Sequence, residues 1–370
     1  INSFLFGLLD GFAKLNPQNI SFIIFCDKRS SHLFHKYADS FKIVIINKYN
    51  KRLRKIFLVL PFIIGSPFIW CLLNNLYAKI IGVKKIFEEE CDILYTATTN
   101  LNFYNLDIPT IVSMHDIQQY HYPENFTFKE LIYRKLLFTN SAKFSSFFQA
   151  SSNFIKEDIK KIFLNIKNEQ IKVIPEGVDV EKFSKQRDIV LIKKFDLPSK
   201  YIFLPAQLWN HKNHITVLKA ILLLKEKKIE IPIVFTGAKY GATHKIFQFI
   251  KKQNMQNVIY LGLVESEELI SIYQNAFLTL SPAIYESSSL TILESAASGT
   301  PILASKTSPN VEMSCEIEID LFETMNYTEL ANKISIIWEK KNVEINRVIS
   351  INKKNIDKFS WENIAKKYIN

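Results

Sequence analysis

Cysteine is scarce in this chain. Cys26, Cys71, Cys91 and Cys315 are scattered through 370 residues, with no CxxC pair and no cysteine–histidine cluster. That leaves no pattern for a zinc site or a disulfide framework, and the thiols read as reduced, as in a cytoplasmic protein. Sequons such as Asn125-Phe126-Thr127 are then incidental. The chain opens at Ile1 with no Met and no charged stretch before an apolar one, so no signal peptide is expected. Its first element reads as a helix rather than an opening strand, as if the amino terminus were shortened. Arg/Gly-rich tracts, zinc-finger spacings and short basic–aromatic runs are missing too, so no nucleic-acid partner is expected. Net charge alone, +11 from 47 basic and 36 acidic residues, would fit anionic lipid, nucleotide phosphates or nucleic acid without choosing among them.

What is present is enough apolar material for two cores, 48% of the residues. Strand-like and helix-like segments alternate. A helix over 3–15 precedes a buried strand at 20–26 and an apolar run at 42–47. Strands at 92–96, 110–114, 144–150 and 171–174 alternate with helices at 130–142 and 154–163, the second capped by Ser151-Ser152-Asn153. A polar stretch, 184–198, reads as a linker. The alternation then restarts with strands at 201–205, 231–236, 258–261 and 278–281 and helices at 214–225, 244–252 and 266–275. Each half is therefore expected to be a parallel sheet wrapped by helices. The boundaries read as a first α/β domain over 1–183, the 184–198 linker, a second α/β domain over 199–355, and a terminal helix over 356–370.

Residues 51–73 stand apart. Lys51-Arg52-Leu53-Arg54-Lys55 precedes an almost wholly apolar run over 56–73, interrupted by Pro61, Gly65 and Pro67. Three readings stay open: a membrane span of minimum length, a segment lying on an anionic bilayer, or an ordinary buried helix.

The most informative stretch is 281–305, a turn, a thin helix and a strand. Glu286 and Glu294 flank seven residues that begin with Ser287, Ser288 and Ser289. Small side chains at the helix entry let a ligand approach the backbone, and the helix N-terminus favours an anion such as a phosphate. Gly299 is placed to end the helix and Pro301 to stop it continuing. Elsewhere His115-Asp116 follows a strand, where open α/β sheets bind ligands, and Pro175-Glu176-Gly177-Val178-Asp179 forms a turn.

In this order the motifs resemble the retaining glycosyltransferases of family 4, which have the α/β GT-B fold of two Rossmann-like domains facing each other across a donor-binding cleft. The family's Glu–seven residues–Glu pattern falls on Glu286 and Glu294, followed by Gly299-Thr300-Pro301. Its Pro-x-Gly-Val-Asp turn falls on Pro175, Gly177, Val178 and Asp179, its His-Asp on His115 and Asp116, a further Glu on Glu312, and the start of its terminal helix on Phe359-Ser360-Trp361. Two departures stand out. Gln207 occupies the place of the usual Arg ahead of Lys212, and a neutral amide cannot grip a diphosphate bidentately; His211 or His214 could share the anion. Ser287-Ser288-Ser289 replaces Gly-Phe-Gly.

The resemblance implies transfer of a sugar from a nucleotide-diphosphate sugar to a glycan or lipid-linked glycan, mannosyl- or rhamnosyl-type by preference, in bacterial surface polysaccharide synthesis. Lys212 and the amides of Ser288, Ser289 and Leu290 would hold the diphosphate, with Gln207 beside them. Glu294 would take the ribose hydroxyls, and Glu286 and His115 the sugar. No cofactor or metal is implied, and no Asp-x-Asp motif is present. The expected place is the cytoplasm, peripheral on the inner face of the membrane through 51–73. A GT-B nucleotide-sugar epimerase and a catalytically silent binding subunit stay open as alternatives.

Overall fold

The computed structural model describes residues 2–46, 51–185 and 193–370. Residues 186–192 of the expected linker lie outside them. The chain divides into two units: residues 1–175 with Ile364–Asn370, and Glu176–Asn363.

The first unit holds two parallel sheets. Strands β1 (Ile23–Cys26) and β2 (Lys42–Ile45) pair with each other, and β3 (Leu94–Thr96), β4 (Thr110–Met114), β5 (Phe147–Ala150) and β6 (Ile171–Val173) pair in sequence order. Val112, Met114, Phe148 and Ala150 are wholly buried, and Leu136, Leu137 and Ile155 from the flanking helices Phe128–Phe144 and Asn153–Ile162 cover them. Ser152 caps the second of those helices by accepting from Ile155 N at 3.3 Å, and Thr127 and Glu130 close a capping box on the first.

The 56–73 run is not one helix. Gly65 takes φ 68, Ser66 caps a new helix by accepting from Ile69 N, and Pro67 opens it. The result is a pair of helices, Lys51–Ile64 and Pro67–Ile81, packed against each other. No helix among the described residues is long and apolar enough to cross a membrane, which removes the spanning reading.

The second unit is one six-stranded parallel sheet. Strands β7 (Ile202–Pro205), β8 (Ile233–Thr236), β9 (Val258–Tyr260), β10 (Leu278–Ser281), β11 (Ile302–Ser305) and β12 (Asp320–Phe322) are ordered β12-β11-β10-β7-β8-β9. Counted within the unit this is 3-2-1-4-5-6, the dinucleotide-fold order. Every residue of β8, β10 and β11 is buried, as strands covered by helices on both faces require. Leu204 and Phe235 pack on one face with Val217 and Leu330; Phe203 and Val234 pack on the other with Ile292 and Ala296.

Candidate functional site

The strand order reverses between β7 and β10, so their carboxyl ends diverge into a crevice. The sequence sends two polar loops there: 206–213 from β7 and 282–289 from β10. Asn213 holds a left-handed conformation (φ 55), its Nδ2 donating to Pro282 O at 3.0 Å while its Oδ1 accepts from Thr216. Ile284 N donates to His211 O at 2.8 Å. The loops are thus tied, and Lys212 Nζ lies 2.7 Å from Glu286 Oε1, with both side chains largely shielded from solvent.

The second loop leads into helix Leu290–Ser298, which ends at Gly299 with φ 75. Ser289 sits at the N-cap but does not cap the helix; its hydroxyl donates instead to Asn310 Oδ1. Asn310 Nδ2 donates to Ser305 O at 2.7 Å, and Ser305 Oγ donates to Ala283 O at 2.5 Å. This buried chain braces the loop from beneath. It also leaves the first-turn amides of Leu290 and Thr291, which have no partner within the helix, for another acceptor. Ser288 Oγ is buried with no hydrogen-bond partner among the described residues.

Glu294 is one turn further along. Tyr273 Oη donates to its Oε2 at 2.8 Å, leaving Oε1 for a second donor. Burial pushes this carboxyl up to about 7, the Tyr273 hydroxyl pulls it back, and the charge of Glu176 adds to the rise. Burial raises Glu176 to about 7 as well; Glu286 adds to that and Lys212 opposes it. Glu176 went unassigned within its turn, and only its charge beside Gly177 could have flagged it.

Burial and then the Lys212 charge push His211 down to about 3, so it faces the loop as a neutral ring. His214 is 1% exposed with its ring edge-on to Phe235 at 5.2 Å, which corrects the expectation that it could meet an anion. Gln207 is exposed and accepts from Trp209 Nε1 at 3.1 Å; Trp209 in turn stacks on Tyr240 at 4.0 Å. Below them Gly237, at φ 114, abuts the Ala206 carbonyl. Glu312 sits on the short helix Ser308–Met313 that carries Asn310.

The structure therefore gathers Gln207, Lys212, Glu286, Ser288, Ser289, Leu290 and Glu294 around the β7–β10 divergence. His115 belongs to the first unit, just past β4. Its Nε2 lies 3.2 Å from Ala97 O and its ring is edge-on to Phe4 at 4.3 Å. Burial pushes it down to about 4, so it is neutral at pH 7. No cluster of three or more potential metal ligands occurs among the described residues.

A titration should expose the Glu294 environment. Both raised carboxyls have folded values above their ordinary 4.5, so the stability they contribute is complete below that value and is lost as pH rises through about 7. In the difference between Glu294→Gln and the wild type the depressed histidines cancel, so the variant's melting temperature relative to the wild type is expected to rise from about pH 5 to about pH 8. A variant whose melting temperature relative to the wild type did not rise across this window would contradict the assignment.

A 3-2-1-4-5-6 sheet with a lysine, a helix amino terminus and two carboxylates at its switch point belongs to the nucleotide-binding Rossmann class. Comparison with known proteins makes this specific. Residues 15–182 match the family described as Glycosyltransferase Family 4, and residues 185–355 match Glycosyl transferases group 1. The chain belongs to this glycosyltransferase family and has the GT-B fold of two Rossmann-like domains. Among curated relatives, the O-antigen chain mannosyltransferase RfbU of Salmonella typhimurium is 24% identical over 198 residues, 52% of this chain and 51% of that protein. The chain spans about half the length, or less, of the first curated relatives it matches. A glycosyltransferase from Rickettsia africae shares the fold with TM-score 0.69 at 18% identity, covering 99% of this chain and 93% of that one. HepE of Anabaena, solved in complex with UDP and glucose, gives TM-score 0.65 at 16% identity, covering 98% and 94%.

Proposed function

We propose that the chain is a retaining, metal-independent glycosyltransferase. In this reading it moves a sugar from a nucleotide-diphosphate sugar to a glycan or lipid-linked glycan of a bacterial surface polysaccharide. The observation that carries the reading is Lys212 paired with Glu286 beside the uncapped start of helix Leu290–Ser298. When the bond from the anomeric carbon to the donor phosphate breaks, the leaving diphosphate gains negative charge. Lys212 and the amides of Leu290 and Thr291 meet that charge without rearranging. The donor also competes with Glu286 for Lys212, which frees the carboxylate to accept from sugar hydroxyls. Glu294, steadied by Tyr273, takes the ribose hydroxyls. The acceptor oxygen bonds the anomeric carbon on the face the phosphate leaves, and its proton passes to a phosphate oxygen.

Likeness to RfbU supports a mannosyl donor, and likeness to HepE a uridine one. A melting screen with GDP, UDP and dTDP separates them, because the bound nucleotide raises stability by mass action. Incubation with the matching nucleotide sugars in EDTA is expected to give slow donor hydrolysis. Release of an isomerised nucleotide sugar would instead favour an epimerase, and no binding to any nucleotide would favour a silent subunit.

Gln207 offers a sharper test. Gln207→Arg places a guanidinium where a diphosphate is proposed to bind and is expected to tighten nucleoside diphosphate binding about tenfold, with no change for the nucleoside alone. Equal gains for both would show that position 207 does not face the phosphates.

A further inference from the structure

The helices Lys51–Ile64 and Pro67–Ile81 turn apolar side chains outward. Nine of the 25 large hydrophobics exposed among the described residues lie on this pair. Only Gly65-Ser66 joins the helices, and Arg54 reaching Asn74 and Phe57 meeting Tyr77 place the first half of one beside the second half of the other, so the second helix runs back along the first. Trp70 and Tyr77 already fill the inner face, at 2% and 0% exposure. The outer face is a second apolar surface with no core to join. On the first helix the exposed positions recur at helical spacing, from Arg52 and Lys55 through Ile56 and Leu60 to Ile63, 71% exposed. On the second, Phe68 (73% exposed), Leu72, Leu76 and Ile80 follow every fourth residue, with exposed Lys79 beside the last.

The antiparallel run puts Arg52, Lys55 and Lys79 at one end and the Gly65 turn, flanked by Ile63 and Phe68, at the other. Arg54 is not part of this rim; its guanidinium is held inward by Asn102. Between Asp39 and Glu88 the sequence contains no acidic residue. A second copy docked here would therefore bring another basic segment with no carboxylate to answer it. Lipid phosphates answer it directly, and the acyl boundary accommodates the apolar stripes. Each helix is about 21 Å long, short of the ~30 Å hydrocarbon layer, so the geometry is in-plane rather than spanning.

We propose that this helical pair is a docking surface for an anionic lipid bilayer. Its apolar stripes sink into the headgroup–acyl boundary while Arg52, Lys55 and Lys79 contact lipid phosphates. The proposal stands apart from the transfer chemistry, because it is measured without donor or acceptor. The full chain is sedimented with vesicles of phosphatidylcholine alone and of phosphatidylcholine with about one-third phosphatidylglycerol. Partition into the anionic vesicles, weakening as salt screens the rim, is the expected result. An Ile63→Asn/Phe68→Asn variant is expected to lose about tenfold or more in partition with its melting temperature unchanged, since both positions face solvent. Lys55→Glu/Lys79→Glu is expected to lose the preference for anionic vesicles. No partition of the wild type, or partition indifferent to both variants, overturns the proposal. Self-association abolished by Ile63→Asn/Phe68→Asn, with no vesicle binding, overturns it in favour of a second copy.

Discussion

Lys212→Ala is expected to lower kcat about a hundred- to a thousandfold while changing the donor KM far less. A charge that meets the leaving diphosphate matters most where that charge develops, and the loss of one preorganised donor has effects of this size. The variant also strands Glu286, a carboxylate whose side chain is only 13% exposed, without its partner. Some stability should therefore be lost as well, which could masquerade as a catalytic defect. The double variant Lys212→Ala/Glu286→Gln separates the two effects. Removing the stranded charge should restore the melting temperature and leave kcat low. Recovery of turnover in the double variant would mean that Lys212 serves only to neutralise Glu286. Lys212→Arg should retain part of the activity, since the charge is kept and the reach altered.

Gly237→Ala is the second large effect. At φ 114 the backbone is in a region that L side chains rarely adopt, and an added Cβ would stand 2.7 Å from the Ala206 carbonyl oxygen. The neighbour is main chain, so no side chain can swing away. A loss of about 3 kcal/mol is expected, roughly 10 °C in Tm for a unit of this size. The strain falls on the peptide that leads into Gln207, so nucleoside diphosphate affinity should drop at temperatures where the variant is still folded. A loss below about 1 kcal/mol with unchanged affinity would show that the loop yields easily and does not position Gln207.

The parts of the fold legible in the sequence were those fixed by local chemistry. Gly299 before Thr300-Pro301 ends its helix in a left-handed cap, because few other residues adopt that conformation cheaply. The buried strands of the second unit were readable as apolar runs, and the segment's order of motifs carried the family. The interrupted 56–73 run was harder. Its Gly65-Ser66-Pro67 sequence is a stop followed by a cap and a start, yet inside an apolar run that signal left the spanning, surface-lying and buried readings all open. Most of the site's wiring was not legible, because it is long-range. Lys212 and Glu286 are 74 residues apart, and Tyr273 and Glu294 are 21 apart, brought together by sheet topology rather than by spacing. The role of Asn310 as a brace for Ser289 was hidden for the same reason.

The strand order has a consequence for biogenesis. β8 and β9 follow β7 closely and add to one side of it, but the strand that closes its other side, Leu278–Ser281, is made much later. Until then β7 is an open edge, a row of unpaired amides and carbonyls on an apolar strand. A nascent chain halted before residue 278 would carry that edge uncovered and is the intermediate most exposed to aggregation. The step that ends this exposure, pairing of Leu278 and Thr279 with Ile202 and Phe203, is the same step that creates the crevice.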